Sequence, residues 1–253
     1  MKDRTVKLLG IDKRSLLVGF LALAARLPAA SSEEKESDAG SKHKSEVEAL
    51  VKGQSWSDGT GFLSTVYRNV LSLDDYQFDS VLKCFEKKLQ EEEARFFFKK
   101  AKRLRCEVLS GGLHKGSVVV RRQDGVIKGS GGGGLRFLTM TLAENSRLLK
   151  LPNGYNVVHS DFNSLLSDLK DRIARGEKCV VTTKSIESDK FEGPIKVMEV
   201  KDPSGNLTDR IFVSESKKVP VEWDVFKEGN LLSIVQFDNF KANPGLSDSL
   251  FNL

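Results

Sequence analysis

Apolar side chains recur at spacings of three and four between Phe62 and Leu109, a pattern typical of amphipathic helices. The first stripe ends at Leu73, where two aspartates can cap the start of a second and longer helix. The glycine pair that begins at Gly111 is the expected end of that helix. The pattern therefore predicts a helical hairpin within a helical region spanning residues 50–112.

After this region the apolar period changes to two, which is typical of strands. Asp-Gly at 124–125 is a strong hairpin signal, and Asn-Gly at 153–154 marks a second hairpin candidate. Asp161 can cap one further helix, which Gly176 ends. Many short strands joined by turns indicate a mainly antiparallel sheet over residues 113–241. The predicted fold class is α+β, with the helical hairpin first and then a sheet covered by one helix.

The N-terminus has the order of charges and apolar residues that a secretory signal has. Lys13 and Arg14 precede a short apolar run, and small residues follow it up to a possible cleavage point before Ser32. The same stretch resembles a weakened twin-arginine signal, as used for bacterial export or entry to the thylakoid lumen. We therefore expect residues 1–31 to be a targeting segment and the protein to be exported, to a periplasm or thylakoid lumen. The alternative is an uncleaved amphipathic helix, which would leave a soluble intracellular protein.

Two further segments contain few apolar residues. Residues 32–49 are rich in Ser, Glu and Lys, and such a composition cannot bury enough surface to offset the entropy of ordering. We therefore expect a disordered charged tether there. Residues 242–253 are expected to form a loose tail.

Composition is that of a globular protein, with 39% apolar and 30% charged residues, but the positive charge is uneven. The net charge of the chain is +5, whereas residues 95–128 hold ten basic residues against Glu107 and Asp124, a local +8. These ten are the candidate binding residues: Arg95, Lys99, Lys100, Lys102, Arg103, Arg105, Lys115, Arg121, Arg122 and Lys128.

This basic surface has three interpretations. It can be a solvated face whose charges are partly paired with nearby glutamates, or a surface that contacts an acidic protein or an anionic membrane. It can also bind nucleic acid through phosphate contacts, with stacking on an exposed phenylalanine. No RNA-recognition, KH or zinc-finger signature supports sequence-specific binding.

Motifs for catalysis, cofactors and metals are absent from the sequence. Cys84, Cys106 and Cys179 have no CxxC spacing, so buried free thiols are expected rather than a zinc site, with one disulfide as the alternative. The glycine run at 129–134 precedes a predicted strand and not the helix that a dinucleotide site requires, so it is read as a flexible loop. His159 has no identifiable partner, because Ser160 and Asp161 beside it suit a helix cap better than a catalytic triad.

The sequence thus predicts a non-enzymatic binding or assembly protein that uses the basic surface to contact an acidic partner or anionic membrane. The first alternative is a viral or organellar nucleic-acid-binding protein that uses the same surface. The second is an enzyme with an unrecognised site on the sheet. No catalytic residue, cofactor or metal is predicted, and the oligomeric state stays open.

Overall fold

The computed structural model describes residues 33–86, 89–111 and 115–253. Residues 36–253 belong to one compact unit. The predicted targeting segment, residues 1–31, lies outside the described residues.

Twelve antiparallel strands of the described residues form one sheet. They are β1 (Trp56–Asp58), β2 (Asp75–Cys84), β3 (Gln90–Lys99), β4 (Arg103–Ser110), β5 (Val118–Arg121), β6 (Ile127–Ser130), β7 (Thr139–Leu142), β8 (Lys178–Thr182), β9 (Ile195–Lys201), β10 (Leu207–Ser214), β11 (Pro220–Lys227) and β12 (Asn230–Ala242). Their order across the sheet is β1-β8-β9-β10-β11-β12-β2-β3-β4-β5-β6-β7. The predicted antiparallel sheet is confirmed, and it is larger than the sequence indicated.

The prediction of a second helix in the hairpin is wrong, because residues 75–110 form strands β2 to β4. Apolar residues four apart, such as Phe78 and Leu82, lie on one side of a strand as well as on one side of a helix. The turn that breaks the supposed helix is made by Ala101 and Lys102, with φ angles of 63° and 62°. The connection between β3 and β4 consists of the three residues 100–102, a length that suits a tight hairpin.

Three helices are described: α1 (Glu33–Val51), α2 (Thr60–Ser72) and α3 (Phe162–Ala174). The first predicted helix, after Phe62, corresponds to α2. The helix after Asp161 corresponds to α3, where Ser164 N donates to Asp161 Oδ1 at 3.0 Å. The predicted disordered tether, residues 32–49, is instead mostly helical, in α1. The side chain of Val47, near the C-terminal end of this helix, is buried. Polar composition hid this helix, since few of its positions are apolar.

The main core lies between one face of the sheet, here called the inner face, and the helices α2 and α3. Stacked aromatic rings occupy its centre, with the centroids of Phe78 and Phe162 4.6 Å apart and those of Tyr76 and Phe98 4.8 Å apart. Rings stacked at such separations add to the stability that burial alone provides.

Two segments, helix α1 and the C-terminal segment, pack on the opposite face of the sheet, here called the outer face. Helix α1 packs Val47 into a second cluster with Val197 of β9 and Phe212 of β10. The C-terminal segment ends in a short 3-10 helix, Asp248–Phe251, whose Phe251 side chain is buried. The predicted loose tail is therefore corrected to an ordered segment. In the described ranges, no helix has both the length and the apolar character that a membrane crossing requires.

Candidate functional site

The ten basic residues lie mainly on β3 to β6, and most of their charges are paired. Seven of them form ion pairs with aspartate or glutamate: Arg95 with Asp79, Lys99 and Arg103 with Asp248, Lys100 with Asp74, Arg105 with Glu107, Arg121 with Asp161, and Arg122 with Asp124. The paired cations add little net positive potential to the surface.

Four of the ten basic residues contact the C-terminal segment of the protein. Lys99 Nζ donates to Leu246 O at 2.6 Å, Arg105 Nη1 to Leu250 O at 3.1 Å, and Lys128 Nζ to Leu253 O at 3.0 Å. The guanidinium of Arg103 lies 5.8 Å from the ring centre of Phe251. The hydrogen bond from Lys99 is the main cause that lowers the pKa of Asp248, which keeps this carboxylate charged. The basic strands thus serve as the docking surface for residues 246–253.

Arg121 is an exception, because it lies on the inner face and is almost fully buried. Its guanidinium donates to Lys102 O at 2.6 Å, to Val158 O, and to Asp161 Oδ2 at 3.4 Å. It thereby ties the β3–β4 turn to the start of α3. Arg121 and Lys102 are the two predicted binding residues that line the cleft described next.

An open cleft of about 880 Å³ lies between α2, α3 and the segment 150–159. This volume is within the usual range for sites that hold small molecules. Its walls are polar and carry both signs of charge: Lys102 and Lys150 are basic, and Asp168 and Asp171 are acidic. None of these four residues takes part in an ion pair within the described ranges.

A small apolar cavity of about 60 Å³ adjoins the cleft on the inner face of the sheet. Asn153, Tyr155 and Leu165 line both spaces. The remaining walls are mostly apolar: Leu82, Ala94, Phe96, Leu151, Trp223, Val225, Val235 and Phe237, with the polar residues Ser80, Glu92 and Ser160. Burial raises the pKa of Tyr155 to about 12, so its phenol is neutral at physiological pH.

Among the described residues in and near the cleft, no nucleophile contacts an activating base. His159 Nε2 lies 2.6 Å from Glu144 Oε1, and both side chains are exposed. Ser160 Oγ donates instead to Asn156 O at 3.0 Å. The predicted capping role of Asp161 is confirmed by its two contacts with Ser164.

The thiols give no support to catalysis either. All three cysteines are free and buried, as predicted. Burial raises the pKa of Cys106 and raises that of Cys179 to about 12, which keeps both thiols protonated and weakly nucleophilic.

The sequence did not identify the cavity residues. Ala94, Trp223 and Leu165 lie far apart along the chain and meet only when the sheet and α3 are assembled. The signal available in the sequence was local. A strand with apolar residues at alternate positions has one apolar face, and that face must be buried against another part of the protein.

No family model and no curated protein matches the chain. It is similar in structure to an uncharacterized conserved protein from Thermus thermophilus, with 12% identity and a TM-score of 0.46 over 77% of this chain and 93% of that one. It is similar to a LolA superfamily protein from Nitrosomonas europaea, with 10% identity and a TM-score of 0.43 over 78% of this chain and 98% of the other. It is also similar to a chain of the MucA/MucB complex of Pseudomonas aeruginosa, with 15% identity and a TM-score of 0.47, over 78% of this chain and 61% of that chain.

Proposed function

We propose that this is a non-enzymatic binding protein that holds an amphipathic ligand between its sheet and its helices. The observation that carries the proposal is that a polar cleft and an apolar cavity share the side chains Asn153, Tyr155 and Leu165. A ligand with a polar end and an apolar end would place one end in each space. Mostly apolar walls with a few polar groups are typical of such sites.

Binding of an alkyl chain requires the cavity to open further. At about 60 Å³ the apolar space holds little more than two water molecules, while ligand sites usually measure hundreds of Å³. The segment from Leu151 to Tyr155 is a turn closed by the isolated bridge between Lys150 and Asn156, and the hydrogen bond from Asn153 Nδ2 to Ser233 Oγ, at 3.3 Å, connects it to the sheet. Movement of this segment away from the sheet would join the cavity to the cleft.

The unpaired charges at the cleft are two lysines and two aspartates, and an anionic polar end would bind at the lysines. Lys102 and Lys150 are exposed there, and neither has a carboxylate partner within the described part of the chain. This refines the predicted contact with an anionic membrane or acidic protein, because most of the other candidate cations are already paired. Lys102 is the member of the original set that remains available at the cleft.

Export by the segment 1–31 stays a proposal of its own. It rests on the order of basic, apolar and small residues in the sequence. Sequencing the N-terminus of the mature protein after cell fractionation tests it, and a mature chain that keeps Met1 in the cytosol would contradict it.

Ligand binding can be measured with the fluorescence of Trp223, which lines the cavity. Trp56→Phe leaves Trp223 as the only tryptophan, because the chain has two. Titration with dansylated undecanoic acid is expected to give saturable energy transfer from Trp223 to the dansyl group. Ala94→Phe in this background fills the cavity and is expected to weaken binding about tenfold or more, since overpacking costs about 1–3 kcal/mol.

The matched control is Ala242→Phe, the same substitution at an exposed position outside the cavity. It is expected to leave the affinity unchanged. Absence of saturable transfer, or equal binding by the Ala94→Phe and wild-type cavities, would contradict the proposal.

A further inference from the structure

A histidine of α1 and two carboxylates of β11 meet on the outer face of the sheet. Glu222 and Asp224 are two positions apart on β11, so their side chains leave the same face of the strand. His43 lies one helical turn before Val47, whose side chain is buried in the cluster under α1. His43 Nε2 is 3.0 Å from Asp224 Oδ2 and 3.8 Å from Glu222 Oε1.

The two separations from His43 are close to those of a first coordination sphere. The ligand atoms of the three residues lie within 4.8 Å of one another. Bonds of about 2.0–2.2 Å in a tetrahedral arrangement place neighbouring ligand atoms roughly 3.3 Å apart. The two distances from His43 lie on either side of that value. Little movement would therefore bring the three atoms to bonding distance from a common centre.

A buried oxygen without a partner is the second observation. The side chains of Glu222 and Asp224 are 0% and 1% exposed. Asp224 Oδ2 contacts His43, but Asp224 Oδ1 is buried with no hydrogen-bond donor in the described part of the structure. Leaving a buried carboxylate oxygen unsatisfied is costly, and a bound cation would remove that cost.

Nearby cations do not neutralise both carboxylates. Lys190 Nζ lies 2.5 Å from Glu222 Oε1, which offsets one negative charge. Arg210 is opposite Asp224 in the β10–β11 register, but its guanidinium is bound to Glu199 at 2.8 Å. Neither Lys190 nor Arg210 therefore pairs with Asp224, the carboxylate with the unsatisfied oxygen.

The ligands are also held by neighbours, as in established metal sites. Gln236 Nε2 donates to Glu222 Oε2 at 3.0 Å, and Lys190 holds the other oxygen of the same carboxylate.

We propose that His43, Glu222 and Asp224 bind a first-row divalent cation of the Zn²⁺ type. One imidazole and two carboxylates suit Zn²⁺ and its first-row neighbours, and the imidazole disfavours Mg²⁺ and Ca²⁺. The bound cation would fasten α1 to β11 and so stabilise the cover of the outer face. This site lies on the opposite side of the sheet from the proposed ligand cavity and is independent of it.

The test uses the full chain after treatment with a chelator and dialysis. Titration with Co²⁺ is expected to give visible absorption bands of a nitrogen- and oxygen-ligated ion at one equivalent, and Zn²⁺ is expected to abolish them by displacement. Zn²⁺ is also expected to raise the melting temperature, whereas Mg²⁺ at the same concentration is expected to have no effect. Absence of a one-equivalent Co²⁺ signal would overturn the proposal.

Variants assign the signal to the three residues. His43→Ala and Asp224→Asn are each expected to weaken Zn²⁺ binding about tenfold or more. The control is His159→Ala, because His159 also contacts a carboxylate, that of Glu144, but forms an exposed pair without a third ligand. Equal affinity in His43→Ala and wild type would overturn the proposal. If Asp224→Asn fails to fold by circular dichroism, His43→Ala alone decides, since it removes one side chain from a helix surface.

Discussion

At the scale of single residues, Arg121 has a position that its neighbour Arg122 does not share. Arg121 is buried and bridges the β3–β4 turn, Val158 O and Asp161, whereas Arg122 forms a half-exposed pair with Asp124. The sequence alone does not distinguish the two arginines, because no neighbouring residue indicates that Asp161 contacts Arg121 on the inner face. The capping role of Asp161 was predictable from the sequence, since a cap acts on residues within one turn.

We expect Arg121→Met to destabilise the protein by about 3–5 kcal/mol, because it leaves the buried carboxylate of Asp161 without its cation. Urea unfolding followed by circular dichroism measures this loss. Arg122→Met is the control, and it should change the free energy of unfolding by about 1 kcal/mol or less. Similar losses in the two variants would show that burial of Arg121 has no energetic consequence.

At the scale of elements, an apolar spacing of four is compatible with both a helix and a strand in this chain. Phe78 and Leu82 fit either a helix or a strand, and only their pairing with β3 and β12 decides between the two. The hairpin at Asp124 and Gly125 was predicted correctly, because that turn is specified by its own two residues. The C-terminal segment was missed because its order depends on cations more than a hundred residues earlier in the chain.

Phe251→Ala is expected to release this segment from the outer face. The buried ring contributes roughly 3 kcal/mol, and its loss leaves mainly part-buried polar contacts to hold residues 246–253. Carboxypeptidase should then remove residues from the C-terminus faster than in the wild type. Global unfolding should change less than the full value, since the segment can open locally.

The control is Phe137→Ala, whose wild-type side chain is 80% exposed. That variant should show the digestion rate and the stability of the wild type, within about 0.5 kcal/mol. An unchanged digestion rate in Phe251→Ala would mean that the cations alone keep the segment docked.

At the scale of the whole molecule, the burial of weak acids limits stability at high pH. The folded pKa of Tyr155 is raised to about 12, above the value of about 10 in an unfolded chain. The contribution of Tyr155 to the free energy of unfolding is therefore complete below pH 10 and is lost as the pH rises through 12. Tyr76 acts in the same direction, since burial raises its pKa well above the ordinary value.

Tyr155→Phe is expected to reduce the loss of unfolding free energy between about pH 10 and 12. The difference should be about 1–2 kcal/mol, below the full value for two pKa units because the side chain is partly exposed. Urea titrations at pH 8 and at alkaline pH measure it, and Tyr67→Phe in the same cleft is the control. Parallel pH profiles of Tyr155→Phe and wild type would contradict the expectation.

The twelfth strand also determines when the sheet can be completed. It lies between β11 and β2, so residues 230–242 join one ladder, β1 with β8 to β11, to another made of β2 to β7. A nascent chain that has not yet reached residue 230 therefore carries two ladders, each with an unpaired apolar border. Open borders of this kind invite pairing with other chains. Translation of the last strand ends this exposure, so ribosome-bound intermediates should depend most on chaperones just before that point.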